Sequence, residues 1–374
     1  MIFERLAHMG HERVVYCSNP DVGLRAIIAV HSSVLGPGLG GVRMYPFKEE
    51  EDALKDVLRL SRGMSYKAAA AGLNLGGAKA VILGDPKKDK SEALFRSFGR
   101  FVDSLGGLYI TAEDVGTDME DMEVILTETR WVTGVSPAHG GSGDPSPVTA
   151  FGVLRGIKAA LKWKFGEPVL KGRSVAIQGL GSVGYHLAEY LKREGAKILG
   201  SDIDPEQVDK ADSELGVEIV PPDQIMEVEC DILAPCALGA SLNKKSIPKL
   251  RCSIVAGAAN NQLDKASRDG QALHEREILY APDFVINAGG LINVYNEITG
   301  GYNRERALRM TRGIYLNLMR VFEISRNDKI PTYVAADRMA EERVRTVKQL
   351  GARHWGRLIA NNHSASFWTA SARG

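Results

Sequence analysis

Two lysines lie in a run of small and apolar residues between Ser65 and Lys79 (SYKAAAAGLNLGGAK). Lysines on a solvated surface usually have charged or polar neighbours, whereas Lys67 and Lys79 have no charged residue between them. An apolar environment lowers the pKa of a lysine, because burial disfavours the charged form, and this suits the amine to proton transfer near neutral pH. We therefore predict that Lys67 and Lys79 belong to a chemical site.

A second candidate segment runs from Tyr109 to Gly116 (YITAEDVG). Its apolar start is typical of a strand end, and two acids, Glu113 and Asp114, follow it beside a glycine. Carboxylates delivered at a strand end can donate and accept protons in a site. Acids in such a position also cap helices and turns, and residue type alone leaves both interpretations open.

A glycine turn, GLGSVG at 179–184, predicts a dinucleotide site. It follows KGRSVAIQ, a predicted strand, and precedes a helical pattern that ends near Gly195. In such a unit the backbone approaches a pyrophosphate, whose charge meets the free N–H groups of the helix N-terminus. An ordinary strand–helix turn is the alternative. The predicted cofactor-binding residues of the turn are Gly179, Leu180, Gly181, Ser182, Val183 and Gly184.

An acid follows the next predicted strand, KILGSD. Asp202 lies where a carboxylate would accept hydrogen bonds from the ribose hydroxyls and repel a 2′-phosphate, so NAD is favoured over NADP. Asp204 is the alternative ribose acid, and it can equally cap the helix that follows it.

Other elements are predicted from periodicity and from breaking residues. Leu24–Val30 is a buried strand, and Asp52 caps a helix that carries Leu54, Val57 and Leu58. The stretch 137–147, rich in Gly, Pro and Ser, is a loop and a domain border, and a helix follows from Val148 to about Lys164.

Alternating strands and helices continue to about Asn293, with AGAAN and VINAGG at strand ends. Residues 304–324 form one long helix, and Pro331 separates it from a helix around 335–350. We predict a substrate-binding and catalytic domain over 1–140, joined by 331–374, and an NAD-binding domain over 141–330.

Composition excludes several classes of protein. The 374 residues are 44% hydrophobic and 25% charged, which is an ordinary balance for a globular protein, and the net charge of +1 offers no field for nucleic acid or a membrane surface. No apolar stretch approaches a membrane span of about 20 residues, and the N-terminus does not resemble a secretion signal. The spacing of the four cysteines fits no zinc or redox motif. These observations predict a cytoplasmic protein with reduced thiols and no metal site.

Several motifs together resemble one enzyme family. LNLGGAKAVILGDP resembles the catalytic-lysine signature of the glutamate/leucine/phenylalanine/valine dehydrogenases. The resemblance is closest to the leucine-oxidising members and covers almost the whole chain. The other matching segments are GPGLGGVRMYP, YITAEDVGT, GSGDPSPVTAFGV, the glycine turn, DILAPCALGA, AGAANNQL, YAPDFVINAGGLINV, NRERA and PTYVAADRMAEERV.

The resemblance implies an α/β fold with an N-terminal substrate and oligomerisation domain and a Rossmann-type dinucleotide-binding domain. Lys67 matches the lysine that binds the substrate carboxylate, Lys79 the catalytic lysine, and Asp114 the acid that moves protons to and from the substrate nitrogen. Gly76 and Gly77 would approach the substrate through their backbone. The positions matching the substrate pocket are Leu39, Ala112, Leu291 and Val294, and those on the nicotinamide side are Thr149, Asn260, Asn261 and Asn287.

The implied activity is a reversible, NAD-dependent oxidative deamination of leucine, valine and isoleucine by a homo-oligomer, with ammonia as a product. Glutamate is disfavoured, because Leu39 stands where glutamate enzymes place a lysine. Phenylalanine, valine or tryptophan dehydrogenases of the same family are the alternatives. An unrelated alcohol or hydroxy-acid dehydrogenase and a non-catalytic NAD-binding descendant are further alternatives, although the latter would be expected to lack Lys67, Lys79 or Asp114.

Overall fold

A computed structural model describes residues 2–237 and 239–350, and this part of the chain divides into two compact units. The first unit comprises the described residues up to Gly143, Val294–Arg304 and those from Ala340 onward. The second comprises Asp144–Asn293 and Glu305–Met339.

This division differs from the predicted boundaries in three places. Residues 141–143 and 294–304 lie in the first unit, and residues 331–339 lie in the second. The two larger differences arise because two helices, over 289–298 and 332–349, each begin in the second unit and end in the first, so that Pro331 does not mark the boundary. Part of the predicted C-terminal contribution, residues 351–374, lies outside the described residues.

The first unit is built on a mixed sheet with helices on both faces. Among its described residues the strands are β1 (Arg13–Asn19), β2 (Leu24–Ser32), β3 (Gly38–Leu39), β4 (Val42–Tyr45), β5 (Gly76–Leu83) and β6 (Tyr109–Ile110). The helices are α1 (Ile2–Met9), α2 (Glu50–Ala70), α3 (Glu92–Ser104) and α4 (Met119–Leu126). The sheet order is β1-β2-β5-β3-β6, and β4 also pairs with β5; β2 is antiparallel to β5, whereas β3 and β4 are parallel to it.

The strand predicted around Leu24–Val30 is confirmed, and its alternating side chains separate two cores. Ile28 lies in a cluster with Phe95 and Phe98 of α3. Ile27, on the opposite face, lies in a cluster with Val57 of α2. The predicted cap of α2 is wrong: the helix begins at Glu50, and Asp52 lies in its first turn, where acids complement the positive end of the helix dipole.

The second unit is built on a parallel sheet of order β12-β11-β10-β7-β8-β9. This is the strand order of a doubly wound nucleotide-binding fold, so the predicted Rossmann-type architecture is confirmed. Its described strands are β7 (Ser174–Gln178), β8 (Lys197–Ser201), β9 (Glu218–Ile219), β10 (Ile232–Pro235), β11 (Ile254–Val255) and β12 (Leu279–Tyr280). The α-helices of the remaining described residues are α5 (Ser146–Phe165), α6 (Ser182–Arg193), α7 (Pro205–Leu215), α8 (Ala266–Glu275), α9 (Asp283–Ile286), α10 (Gly289–Ile298), α11 (Arg304–Thr311), α12 (Ile314–Asp328) and α13 (Thr332–Gln349).

Two sequence predictions for the later part of the chain are wrong. VINAGG does not end a strand but joins α9 to α10, because a short apolar run fits a buried strand and a buried helix equally well. The predicted long helix over 304–324 is two helices, α11 and α12, which are separated at Gly313, a residue of low helix propensity. AGAAN does follow β11, as predicted.

Within the described residues, we find no helix with the length and apolar character that a membrane crossing requires.

Candidate active site

The structure brings together Lys79 and Asp114, which lie far apart in the sequence. Lys79 is in the middle of β5 and is only 5% exposed, and Asp114 follows β6, which joins β5 through β3. Lys79 Nζ lies 2.9 Å from Asp114 Oδ1. A buried amine and a carboxylate in direct contact form a pair that can exchange protons with a bound molecule.

Burial and charge act in opposite directions on this pair. Burial lowers the pKa of the Lys79 amine, and the charge of Asp114 only partly offsets this. Burial alone would raise the pKa of the Asp114 carboxyl, but the charges of Lys79 and Arg43 outweigh it and lower that pKa. Asp114 is therefore held as an anion, and Lys79 is the member of the pair that can release a proton.

Two residues that the sequence analysis did not single out contact Asp114, and a third, Asp56, contacts one of them. Arg43 Nε lies 2.9 Å from Asp114 Oδ2, and Arg43 Nη1 lies 2.8 Å from Asp56 Oδ2. The Asp114 backbone N–H donates to Thr117 Oγ1 at 2.9 Å, and the Thr117 hydroxyl donates to the Val42 carbonyl at 2.8 Å. Arg43 and Thr117 lie within motifs that carried the family resemblance, whereas no local pattern distinguishes Asp56 on α2.

Lys67 lies in the last turn of α2, the helix that packs on β5. This packing explains Gly77, because a Cβ atom there would overlap the backbone of Ser65, two residues before Lys67. A Cβ atom at Gly76 would overlap the Ser32 carbonyl in the same way. Both glycines are thus required by close packing around the segment that carries the lysines.

Two of the four predicted pocket positions lie on or next to a strand, and the other two lie on a helix. Leu39, on β3, is buried and pairs with Gly77 on one side and Ile110 on the other; Ala112 is buried just after β6. Leu291 and Val294 are three residues apart on α10 and so share one face of that helix. All four side chains are apolar.

The glycine turn has the predicted strand–turn–helix geometry. Gly179 follows β7 with φ +97°, a conformation that favours glycine, and α6 begins at Ser182 with no side chain capping its N-terminus. Gly181 and Ser182 are exposed, Val183 is half-buried and Gly184 is buried. Leu180 has an internal contact, because its N–H donates to Asp202 Oδ2 at 2.6 Å.

Asp202 and Asp204 have different surroundings at the carboxyl end of β8. The Asp202 carboxylate accepts from the glycine turn and, at 3.0 Å, from the Asp204 backbone N–H. The Asp204 side chain accepts from the Glu206 N–H and caps α7. Of the two acids, Asp202 is the one joined to the turn.

Buried oxygens in the second unit fit a ligand that donates hydrogen bonds. Asn287 is 3% exposed, and its amide nitrogen donates to the Ala258 carbonyl and to Asn260 Oδ1. Asn287 Oδ1 and Ser201 Oγ, at the end of β8, are buried and make no hydrogen bond within the described residues. Carboxamide and ribose hydroxyl groups of a dinucleotide are donors of the required kind.

The other residues predicted on the nicotinamide side lie in the same unit. Thr149 is in the first turn of α5 and donates to the Pro145 carbonyl. Asn261 adjoins Asn260 in the loop after β11 with φ +51°, a conformation that asparagine tolerates better than most residues.

Comparisons with known proteins identify the family of the chain. Residues 11–131 match the family model described as Glu/Leu/Phe/Val dehydrogenase, dimerisation domain, and residues 140–204 and 203–349 match the model for glutamate/leucine/phenylalanine/valine dehydrogenase. The chain is 57% identical to leucine dehydrogenase from Thermoactinomyces intermedius over 93% of this chain and 94% of that protein. It is 48% identical to phenylalanine dehydrogenase from Lysinibacillus sphaericus over 92% of this chain and 90% of that protein.

A solved structure supports the same assignment. The crystal structure of L-tryptophan dehydrogenase from Nostoc punctiforme superimposes with a TM-score of 0.84 at 44% identity, covering 93% of this chain and 100% of that one. The chain belongs to the glutamate/leucine/phenylalanine/valine dehydrogenase family and is an amino-acid dehydrogenase.

Proposed function

We propose that the protein oxidatively deaminates a branched-chain L-amino acid, with leucine, valine and isoleucine as substrates and NAD as cofactor. The products are the 2-oxo acid, ammonia and NADH, and the reaction is reversible. The observation that carries the chemistry is the contact of the buried Lys79 amine with the Asp114 carboxylate. The higher identity to a leucine dehydrogenase than to a phenylalanine dehydrogenase supports the choice of substrate.

Each of the three charged residues predicted for the site in the first unit has a role in this proposal. Lys67 binds the substrate carboxylate through a charge-assisted hydrogen bond. Lys79, whose pKa is lowered by burial, accepts a proton from water as that water adds to the imino carbon. Asp114 carries protons to and from the substrate nitrogen, so that the nitrogen leaves as ammonia.

NAD fits the second unit through the glycine turn, Asp202 and the buried acceptor on Asn287. When bound, NAD supplies the acceptor for the hydride that leaves the substrate Cα. Ser182 and Val183 begin α6, whose free N–H groups suit the pyrophosphate. Asp202 would bind the ribose hydroxyls and disfavour a 2′-phosphate, which is the basis for choosing NAD over NADP.

The substrate side chain is expected to contact Leu39, Ala112, Leu291 and Val294. An apolar pocket rejects glutamate, because the distal carboxylate would be buried without a partner. Among apolar substrates one methylene group changes the free energy of binding by only about 1–3 kcal/mol. The second candidate function is therefore that of a phenylalanine, valine or tryptophan dehydrogenase. The 44% identity to the tryptophan dehydrogenase structure supports this alternative.

The matched dimerisation domain supports a homo-oligomer. The cytoplasmic location stays a prediction.

Formation of NADH with a panel of amino and hydroxy acids tests this proposal. We expect the highest kcat/KM with leucine, valine or isoleucine, little activity with glutamate, and a strong preference for NAD over NADP. The variant that tests the mechanism is Lys79→Ala, whose kcat should fall about 100-fold or more while NADH still binds. A clear preference for phenylalanine or tryptophan would refute the substrate assignment, and full activity of Lys79→Ala would refute the mechanism.

A further inference from the structure

Four charged side chains of the first unit form a series of ion pairs that alternates in sign. Lys79 contacts Asp114, Asp114 contacts Arg43, and Arg43 contacts Asp56, with N–O distances of 2.9, 2.9 and 2.8 Å. The middle members are largely shielded from water, since the Arg43 and Asp114 side chains are each 21% exposed. The proposed chemistry uses Lys79 and Asp114 but gives no task to Arg43 or Asp56.

Arg43 is held at both ends of its guanidinium group. Nε donates to Asp114, while Nη1 donates to Asp56 on α2. Its backbone is in β4, in register with Val81 of β5, two residues beyond Lys79. A planar guanidinium fixed by two carboxylates cannot follow a moving partner, so it orients the Asp114 carboxylate with Oδ1 toward Lys79.

We propose that Arg43 is a positioning residue that keeps Asp114 oriented and ionised while Lys79 changes its protonation state, and that Asp56 anchors Arg43 for this task. The inference rests on the proposed function, in which Lys79 acts as a general base.

The need for a second cation follows from that role. When Lys79 is neutral, Asp114 loses one of its two cationic neighbours, and a half-buried carboxylate without a cation tends to take up a proton. Arg43 does not titrate in the working range, because the charges of Asp114 and Asp56 raise its pKa despite the opposing effect of burial. A permanent charge at Arg43 therefore separates the titration of Asp114 from that of Lys79.

Arg43 also acts on Lys79 itself. The charged groups that act on Lys79 come from the loop after β6 (Asp114), from β4 (Arg43) and from α2 (Asp56). Burial is the main cause of the lowered pKa of Lys79; Arg43 lowers it further, whereas the two acids raise it. Removal of the charge at Arg43 should thus raise the pKa of both Lys79 and Asp114.

The test compares the pH dependence of kcat/KM for amino-acid oxidation in Arg43→Met, Arg43→Lys and Arg59→Met. Arg59 is the matched control, because it binds the same Asp56 carboxylate at 3.0 Å but has a side chain that is 55% exposed. The amine of the substrate titrates equally in every assay, so differences between variants belong to the protein. NADH binding and thermal unfolding report whether each variant is folded.

We expect Arg43→Met to shift the acidic limb of the kcat/KM profile to higher pH by about one unit or more. The same variant should lower kcat about 10- to 100-fold. Arg43→Lys retains the charge but not the two-sided contact, so its limb should stay near that of the wild type while kcat falls. Asp56→Asn removes only the anchor, and kcat should fall without an upward shift of the limb. Arg59→Met should match the wild type.

The outcomes distinguish this inference from the proposed function. A wild-type enzyme that oxidises no amino acid, or a Lys79→Ala variant with full activity, would overturn the proposed function. With those two results as expected, a folded Arg43→Met variant whose profile and kcat match Arg59→Met would overturn the inference alone. If Arg43→Met does not fold, an Arg43→Lys variant with wild-type kcat overturns it.

Discussion

At the level of single residues, the Asp202 carboxylate is the acid that is hydrogen-bonded to the glycine turn. Its carboxylate accepts from Leu180 N–H within the turn and from Asp204 N–H beyond it. These two donors orient the side chain at the carboxyl end of β8, where ligands of open parallel sheets bind.

Asp202→Asn should therefore narrow the preference for NAD over NADP, because it removes the charge that repels a 2′-phosphate. We expect NADH to bind about tenfold more weakly or worse, as a charged hydrogen-bond acceptor is lost. Fluorescence titration with NADH and NADPH measures both effects. Asp204→Asn is the control, since Asp204 caps α7, and an equal loss of NADH affinity in that variant would move the ribose-binding role to Asp204.

At the level of elements, the end of α2 is secured by a residue of α13. The last carbonyls of a helix lack partners within the helix, and its C-terminus favours a cation. Arg343 donates to the carbonyls of Ala69, Gly72 and Leu73 at 3.1, 3.0 and 2.7 Å. It thereby holds the last turn of α2, which carries Lys67, and the loop that leads into β5.

Replacing Arg343 by Met keeps much of the side-chain volume but removes every donor. The free energy of unfolding should fall by about 2–3 kcal/mol, because several carbonyls lose a charged partner. KM for the amino acid should rise more than KM for NAD, since Lys67 lies in the affected turn. Arg345→Met, at an exposed position on the same helix, should change neither quantity; similar behaviour of the two variants in denaturant unfolding and kinetics would contradict this role.

At the level of the whole molecule, the dependence of stability on pH should reflect two histidines in the first unit. His31 Nδ1 lies 2.8 Å from Ser65 Oγ, and the rings of His11 and His31 meet edge to face at 4.9 Å. Burial, together with the neighbouring charges of His11 and Arg62, lowers the pKa of His31 to about 4. The unfolded chain binds a proton at its ordinary pKa of about 6.5.

The contribution of His31 to the free energy of unfolding is therefore fully present above about pH 6.5. It is lost as the pH falls toward 4, because the unfolded state then binds more protons than the folded state. The loss at pH 5 should reach at most about 2 kcal/mol. Thermal unfolding between pH 7 and 5 should show a smaller decrease in His31→Asn than in the wild type. The exposed His8→Asn serves as the control, and parallel curves for the wild type and His31→Asn would contradict the prediction.

The sequence alone determined the features that depend on local signals. The glycine turn between β7 and α6, the strand at Leu24–Ser32 and the helix over Ser146–Phe165 follow from turn chemistry and periodicity, which act over a few residues. The composition around Lys79 likewise predicted a buried amine, because an apolar run leaves a lysine few ways to be solvated.

Only the tertiary structure decided which groups meet. The contact of Arg43 with Asp114 joins residues 71 positions apart, and that of Arg343 with Leu73 joins residues 270 apart; no periodic pattern records such pairs. The boundaries between the two units also fall within α10 and within α13, and not at Pro331. Packing of distant elements decides these features, because the energy of a buried contact depends on both partners and on the water that they exclude, and a local segment contains only one of the partners.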